Sequence, residues 1–196
     1  MSARSSVRLA EGLAVLGLSL LAPAPVFADA FDLAAVALTA DDLGGTCQLV
    51  DVQEGYAPSV DSGIHGGFYQ CGAPNIVLGG SVVLDELPLV VVNLVAASDS
   101  RPSASVLEDL LTQGLSAMSG EDGSEVAVLS SGPTIGEISD WYRVTAQGVW
   151  LRYDGYLVAF TRGSLAALVF SGGFLGQESL DRTAYLARLV ESRINF

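Results

Sequence analysis

The first 28 residues constrain this chain most, because they decide in which compartment the remainder folds. Arg4 and Arg8 supply a positive start, and Leu13 to Ala22 follows as a ten-residue apolar run that Pro23 and Pro25 close. Val26-Phe27-Ala28 then offers small residues at the two positions a signal peptidase reads. Residues 1–28 are therefore expected to be a signal peptide, with cleavage before Asp29 and cleavage after Ala30 as the alternative. Residues 29–196 remain as one exported domain. Glu11 is the residue out of character. An uncleaved anchor is the competing reading, but a spanning helix needs about 20 apolar residues. No Cys follows the run, which removes a lipid-modified N-terminal Cys. Further on, Leu87 to Ala97 is only eleven residues long and contains Pro88 and Asn93, so no stable membrane span is expected after signal removal.

Export makes the cysteines legible. Cys47 and Cys71 are the only two, so a single connectivity exists. In an oxidising compartment a bridge is favoured over two thiols, one of them a nucleophile. The bridge would contribute about 3 kcal/mol by loop-closure entropy and would withdraw both sulfurs from catalysis and metal binding.

The composition is half hydrophobic and 16% charged, which fits a folded core rather than a disordered chain. The formal net charge is −13, with 22 acids against nine basic residues, all of them Arg. Such a surface repels nucleic acid and anionic lipid, since both need Lys and Arg on the protein side. Solubility in an exposed environment accounts for it. Sharper readings are a cationic partner, divalent cations or a salty habitat.

Along the mature chain, residues 29–45 form a small, apolar, acidic lead-in to a first strand, Cys47 to Val52. Residues 54–75, rich in Gly, Ser and Pro, read as a long loop pinned by the disulfide. Leu89 to Val95 is a continuous, mostly β-branched run expected of a buried strand, with Val82-Val83-Leu84 as a short partner. The helix over 105–118 carries a capping box in Ser105 and Glu108 and an apolar stripe of Leu107, Leu111, Leu115 and Met118. Strands follow at Glu125–Leu129, Tyr142–Val149, Tyr156–Phe160 and Leu165–Phe170. Arg162-Gly163 is expected as a two-residue hairpin turn. Asp154-Gly155 reads as another turn or a bulge. The last helix, 179–194, repeats Thr183, Leu186, Ala187, Val190 and Ile194 at helical spacing, with acids at its start and Arg188 and Arg193 near its end. This order predicts an α+β fold: a twisted antiparallel β-sheet with helices packed on it.

Ile135-Gly136-Glu137-Ile138-Ser139, Val158-Ala159-Phe160-Thr161-Arg162-Gly163 and the C-terminal Leu186, Ala187 and Arg193-Ile194 resemble a group of exported or lipid-anchored bacterial domains with a fold like PsbP, the extrinsic subunit of photosystem II. Leu38 with Asp42-Leu43 echoes the start of that group. The resemblance spans residues 38–50 and 105–194. It implies a PsbP-like α/β sandwich on an antiparallel sheet and a binding or accessory role rather than a reaction. The 47–71 loop departs from its pattern.

Motifs for chemistry are sparse. His65, the only His, sits among glycines, and no G-x-S-x-G marks a nucleophile. One His and two bridged cysteines cannot make a zinc site, so no metal or cofactor is expected. Glu121-Asp122-Gly123-Ser124-Glu125 is a compact acidic loop without the ligand spacing of an EF-hand. Trp141, Tyr142, Trp150, Tyr153 and Tyr156 crowd one meander and alternate with Arg143 and Arg152. An exposed row of this kind suits sugars, peptides or apolar ligands, whereas a buried row packs under the C-terminal helix. The expectation is a non-enzymatic extracytoplasmic domain, periplasmic or secreted. Its candidate surface for a partner protein or small ligand is Trp141, Arg143, Trp150, Arg152, Tyr153 and Tyr156. The alternatives are a hydrolase using carboxylates or His65, and a calcium-dependent cell-surface module.

Overall fold

The computed structural model describes residues 32–44, 46–58, 61–72, 89–118, 125–147, 152–174 and 179–194. Two short helices, α1 (Leu33–Val36) and α2 (Ala40–Leu43), lead into strands β1 (Cys47–Ala57), β2 (Ser62–Cys71) and β3 (Leu89–Ala97). Helix α3 (Ser103–Met118) precedes β4 (Glu125–Val128), β5 (Ile138–Gln147), β6 (Arg152–Arg162) and β7 (Leu165–Phe174), and α4 (Leu180–Arg193) ends the fold. The strands make one antiparallel sheet in the order β1-β2-β3-β7-β6-β5-β4. The α+β class and the order of strands, helix, meander and helix are as the sequence predicts.

The segment 54–75 is not a long loop. Most of it is the second half of β1 and all of β2, and Asp61, just before β2, takes a positive φ. Its glycines are strand residues that make room for neighbours. A Cβ on Gly66 would lie 2.4 Å from the Asn93 carbonyl oxygen, and one on Gly67 would strike the Tyr69 ring. Cys47 and Cys71 face each other across this hairpin and are disulfide-bonded, with Cα atoms 3.9 Å apart.

Helix α3 begins at Ser103, ahead of the expected capping box. Pro102 supplies the carbonyl for the Ser105 and Val106 amides, and Ser103 Oγ donates to the Gly163 carbonyl at 2.7 Å. Ser105 thus lies inside the helix, where Arg101 bonds its carbonyl. The β6–β7 turn sits one residue later than expected, at Gly163-Ser164, because Arg162 still pairs with Leu165. Asp154-Gly155 is neither turn nor bulge, since the β5–β6 and β6–β7 registers run through it without interruption. Val82-Val83-Leu84 lies outside the described residues.

Period-two alternation splits the central strands between two cores. Leu157, Ala159, Ala166, Leu168 and Phe170 face α3, whose Val106, Leu107, Leu110 and Leu111 cover them. Val158, Phe160, Ala167 and Val169 face α4, which buries Thr183, Leu186, Ala187 and Val190. Each large apolar side chain buried this way stabilises by roughly 1.5–3 kcal/mol. With both faces covered, β6 and β7 read as continuous apolar runs.

Candidate functional site

The residues expected to form one surface divide once the register is drawn. On the α4 side, Arg143, Tyr156 and Ser171 stand in a row across β5, β6 and β7, with Thr145 and Asp154 paired beside them. Asp154 is the key to this patch. Its side chain is 4% exposed, and a carboxylate so deep is stable only when paired and hydrogen-bonded. Thr145 Oγ1 donates to Asp154 Oδ1 at 2.7 Å, and Arg143 Nη2 lies 3.7 Å from the same oxygen. The Arg143 side chain is 40% exposed. The guanidinium is therefore oriented by a fixed anion on a side chain that still reaches solvent, an arrangement suited to a planar acidic group. Tyr156 is half-buried next to it. Behind the row, the Ser171 and Thr183 hydroxyls hydrogen-bond at 2.6 Å and fasten the first turn of α4 to β7.

Trp141 does not join this surface. It is buried with Ile135, Val158 and Phe160, and its Nε1 donates to the Pro133 carbonyl at 2.9 Å. Gly132 packs directly on its ring, where a Cβ would come within 2.4 Å. The indole is a core residue because the irregular segment between β4 and β5, with Gly132 and Pro133, folds over it. Tyr142 points to the other side of the sheet; burial, and then the charge of Asp140, raises its phenol above the ordinary range. Arg152 and Tyr153 open β6 opposite Gln147 and Ala146, but their side chains are not among those described. Trp150 lies outside the described residues.

Asp154 and Thr145 escaped the sequence reading because β6 was expected to start at Tyr156. Extended back to Arg152, the two-residue period puts Asp154 on the face of Tyr156 and Thr145 on that of Arg143.

His65 lies in β2 opposite Glu54 of β1, with Nδ1 3.8 Å from Glu54 Oε2, beyond hydrogen-bond length. Among the described residues no group of three or more His, Cys, Asp or Glu is placed to hold a metal ion. Glu121 to Ser124 of the acidic loop lie outside the described residues. No described helix is long and apolar enough to cross a membrane.

These features define an α+β domain with a single antiparallel sheet sheathed by helices. No family model and no curated protein matches the chain. Among solved structures, the fold is similar to that of the extracellular domain of PknH from Mycobacterium tuberculosis, with a TM-score of 0.55 and 10% identity over 83% of this chain and 94% of that one. At that identity the likeness concerns the fold alone.

Proposed function

We propose that this is an extracytoplasmic, non-catalytic binding domain, exported by its N-terminal signal and engaging a partner protein or small ligand through the Arg143–Tyr156 patch. The observation that carries this reading is the half-exposed Arg143 held by the buried Asp154. A fold has little need of such a pair, since an apolar substitute of equal volume is often as stable. By register Arg152, at the start of the same strand, shares the face of Asp154 and Tyr156 and extends the patch in this reading, whereas Tyr153 falls on the opposite face. The acidic group of a ligand meets the outer edge of Arg143, and Tyr156 supplies an aromatic flank. The Cys47–Cys71 bridge, the expected signal peptide and the fold shared with an extracellular domain support the location. The PsbP-like resemblance belongs to the same proposal, supported by the antiparallel sheet and terminal helix that it implies.

The test is mass spectrometry of the protein from the exported fraction of its host. A denatured mass starting at Asp29 and two hydrogens light is expected, together with added non-covalent mass in the native spectrum that Arg143→Ala loses. Recovery from the cytoplasm with Met1 retained would overturn the location. Ligand retention unaffected by Arg143→Ala would overturn the site.

A further inference from the structure

The two edges of the sheet are built differently. β4 closes one edge with only four residues. β1 forms the other edge with eleven, and among the described residues it pairs only with β2. Sheets usually protect a long edge with Lys, Pro or inward charges. From Cys47 to Ala57 there is no Lys, Arg or Pro. Instead Leu49, Val50 and Val52 are 48%, 54% and 41% exposed, with a single register shift at Val50. The strand is also tied at both ends. The disulfide locks its first residue to the last of β2, and Tyr56 hydrogen-bonds Asp61 across the turn at its other end.

The charge around this edge has one sign. Between Asp32 and Gly72 the chain has no Lys or Arg, while Asp41, Glu54 and Asp61 are exposed and Asp51 is half-exposed. A second copy paired edge to edge would bring these acids together, and like charges on adjacent strands are destabilising. A partner rich in Lys or Arg meets the opposite situation.

We infer that the edge of β1 is a docking site for an extended basic polypeptide segment, which adds to the sheet as an antiparallel or parallel strand. Backbone hydrogen bonds supply the affinity, as in other strand additions. Apolar residues of the segment cover Leu49 and Val52 on one face of the sheet, alternate Lys or Arg residues meet Asp51 on the other, and Glu54, on the Val52 face, adds its charge to the field the segment enters. The site is remote in strand order from the Arg143 patch, at the opposite end of the sheet, and does not rest on it.

The experiment uses the full mature chain and capped peptides of about ten residues, long enough to match the strand. One alternates Lys with Val, a second Glu with Val, and a third is the Lys peptide with Pro at its centre. Calorimetry is expected to show binding of the first only, weakened at least tenfold in about 0.5 M salt as screening shortens the reach of the charges. Hydrogen exchange is expected to show new protection at alternate amides of β1. Glu54→Lys is expected to weaken binding about tenfold with an unchanged melting temperature, since Glu54 is an exposed charge far from any core. Equal binding of the Glu peptide, protection elsewhere, or no binding at all would overturn the proposal. So would protection, in the free chain, of the outward β1 amides that do not bond β2, or a concentration-dependent dimer that Glu54→Lys abolishes.

Discussion

The α3 and α4 faces of the sheet are assembled by different physics. Under α3 the contact is chiefly hydrocarbon. Phe170 lays its ring over Gly155 and Gly172, where any Cβ would come within 2.7 Å of it, and Leu110 and Leu111 close over Leu157 and Leu168. Under α4 the apolar contacts are threaded with polar ones that each have a named partner. Asn93 accepts from the Leu38 amide at 2.8 Å and donates to the Leu168 carbonyl. Glu191 accepts from the Gly136 amide and pairs with Arg162. Arg193 bonds both the Ala37 carbonyl and Asp42. Hydrocarbon packing rewards any arrangement of equal volume, whereas a buried amide or carboxylate rewards one register. The α4 face is thus where the chain fixes its N-terminal segment, and where a half-exposed arginine is held in place.

Two substitutions should break this contrast with large effects. Phe170→Ala removes the ring that fills the α3 side, with an expected loss of about 3–5 kcal/mol in denaturant unfolding. A loss below 1 kcal/mol would mean that the face collapses onto its glycines and is not closely packed. Replacing Cys47 and Cys71 together by Ser should cost about 3.5 kcal/mol from loop-closure entropy. The same unfolding curves check it, and an unchanged midpoint would show that the β1–β2 hairpin holds without its bridge.

A smaller effect sharpens the contrast. Asn93→Leu keeps the branching and heavy-atom count of the side chain but leaves the Leu38 amide without its acceptor, which should cost about 1–3 kcal/mol. Hydrogen exchange at Leu38 is the specific readout. Fast exchange there with the rest of the sheet protected would show that Asn93 acts by tethering the N-terminal segment. A uniform loss of protection would show that it acts on the sheet as a whole.

The sequence disclosed the α4 face better than its partners. The stripe of Thr183, Leu186, Ala187, Val190 and Ile194 is buried throughout, because helical spacing survives whatever lies opposite. Leu89–Val95 was legible as a buried strand for the same reason. β2 was not. Gly66 and Gly67 resemble loop residues until the Asn93 backbone and the Tyr69 ring that require them are in place, and the Asn93 contact is long-range in sequence. The site was legible in part. Arg143 and Tyr156 carried a period-two signal, but Trp141 carried the same signal and went to the core, because its burial depends on Gly132 and Pro133 folding back over it. Asp154 was hidden by its neighbour Gly155, which mimics a turn and in fact accommodates Phe170.

The smallest expected effect concerns the Asp42–Arg193 contact, and pH separates its two halves. Burial would raise the Asp42 carboxyl, but hydrogen bonds from Arg193, then from the Thr39 amide and hydroxyl, together with the Arg193 charge, outweigh it and leave the group below its ordinary value. A carboxylate lowered by folding contributes stability that is complete above its unfolded value, about 3.9, and is lost as pH falls through the folded one. Asp42→Asn should therefore cost most above about pH 4, and the difference from the parent chain should vanish in stronger acid. Arg193→Met behaves differently. It removes the acid-dependent contact with Asp42 and also the bond from Nη1 to the Ala37 carbonyl at 2.7 Å, which no carboxyl titration touches. Its cost, about 1–2 kcal/mol for hydrogen bonds from a charged donor, should fall in acid but not to zero. Unfolding curves between neutral pH and pH 2 or so decide the matter. If both variants converge on the parent in acid, Arg193 holds the N-terminal segment only through Asp42. If only Asp42→Asn converges, the guanidinium grips the backbone at Ala37 as well, and the polar tethers of this face outlast the charges that accompany them.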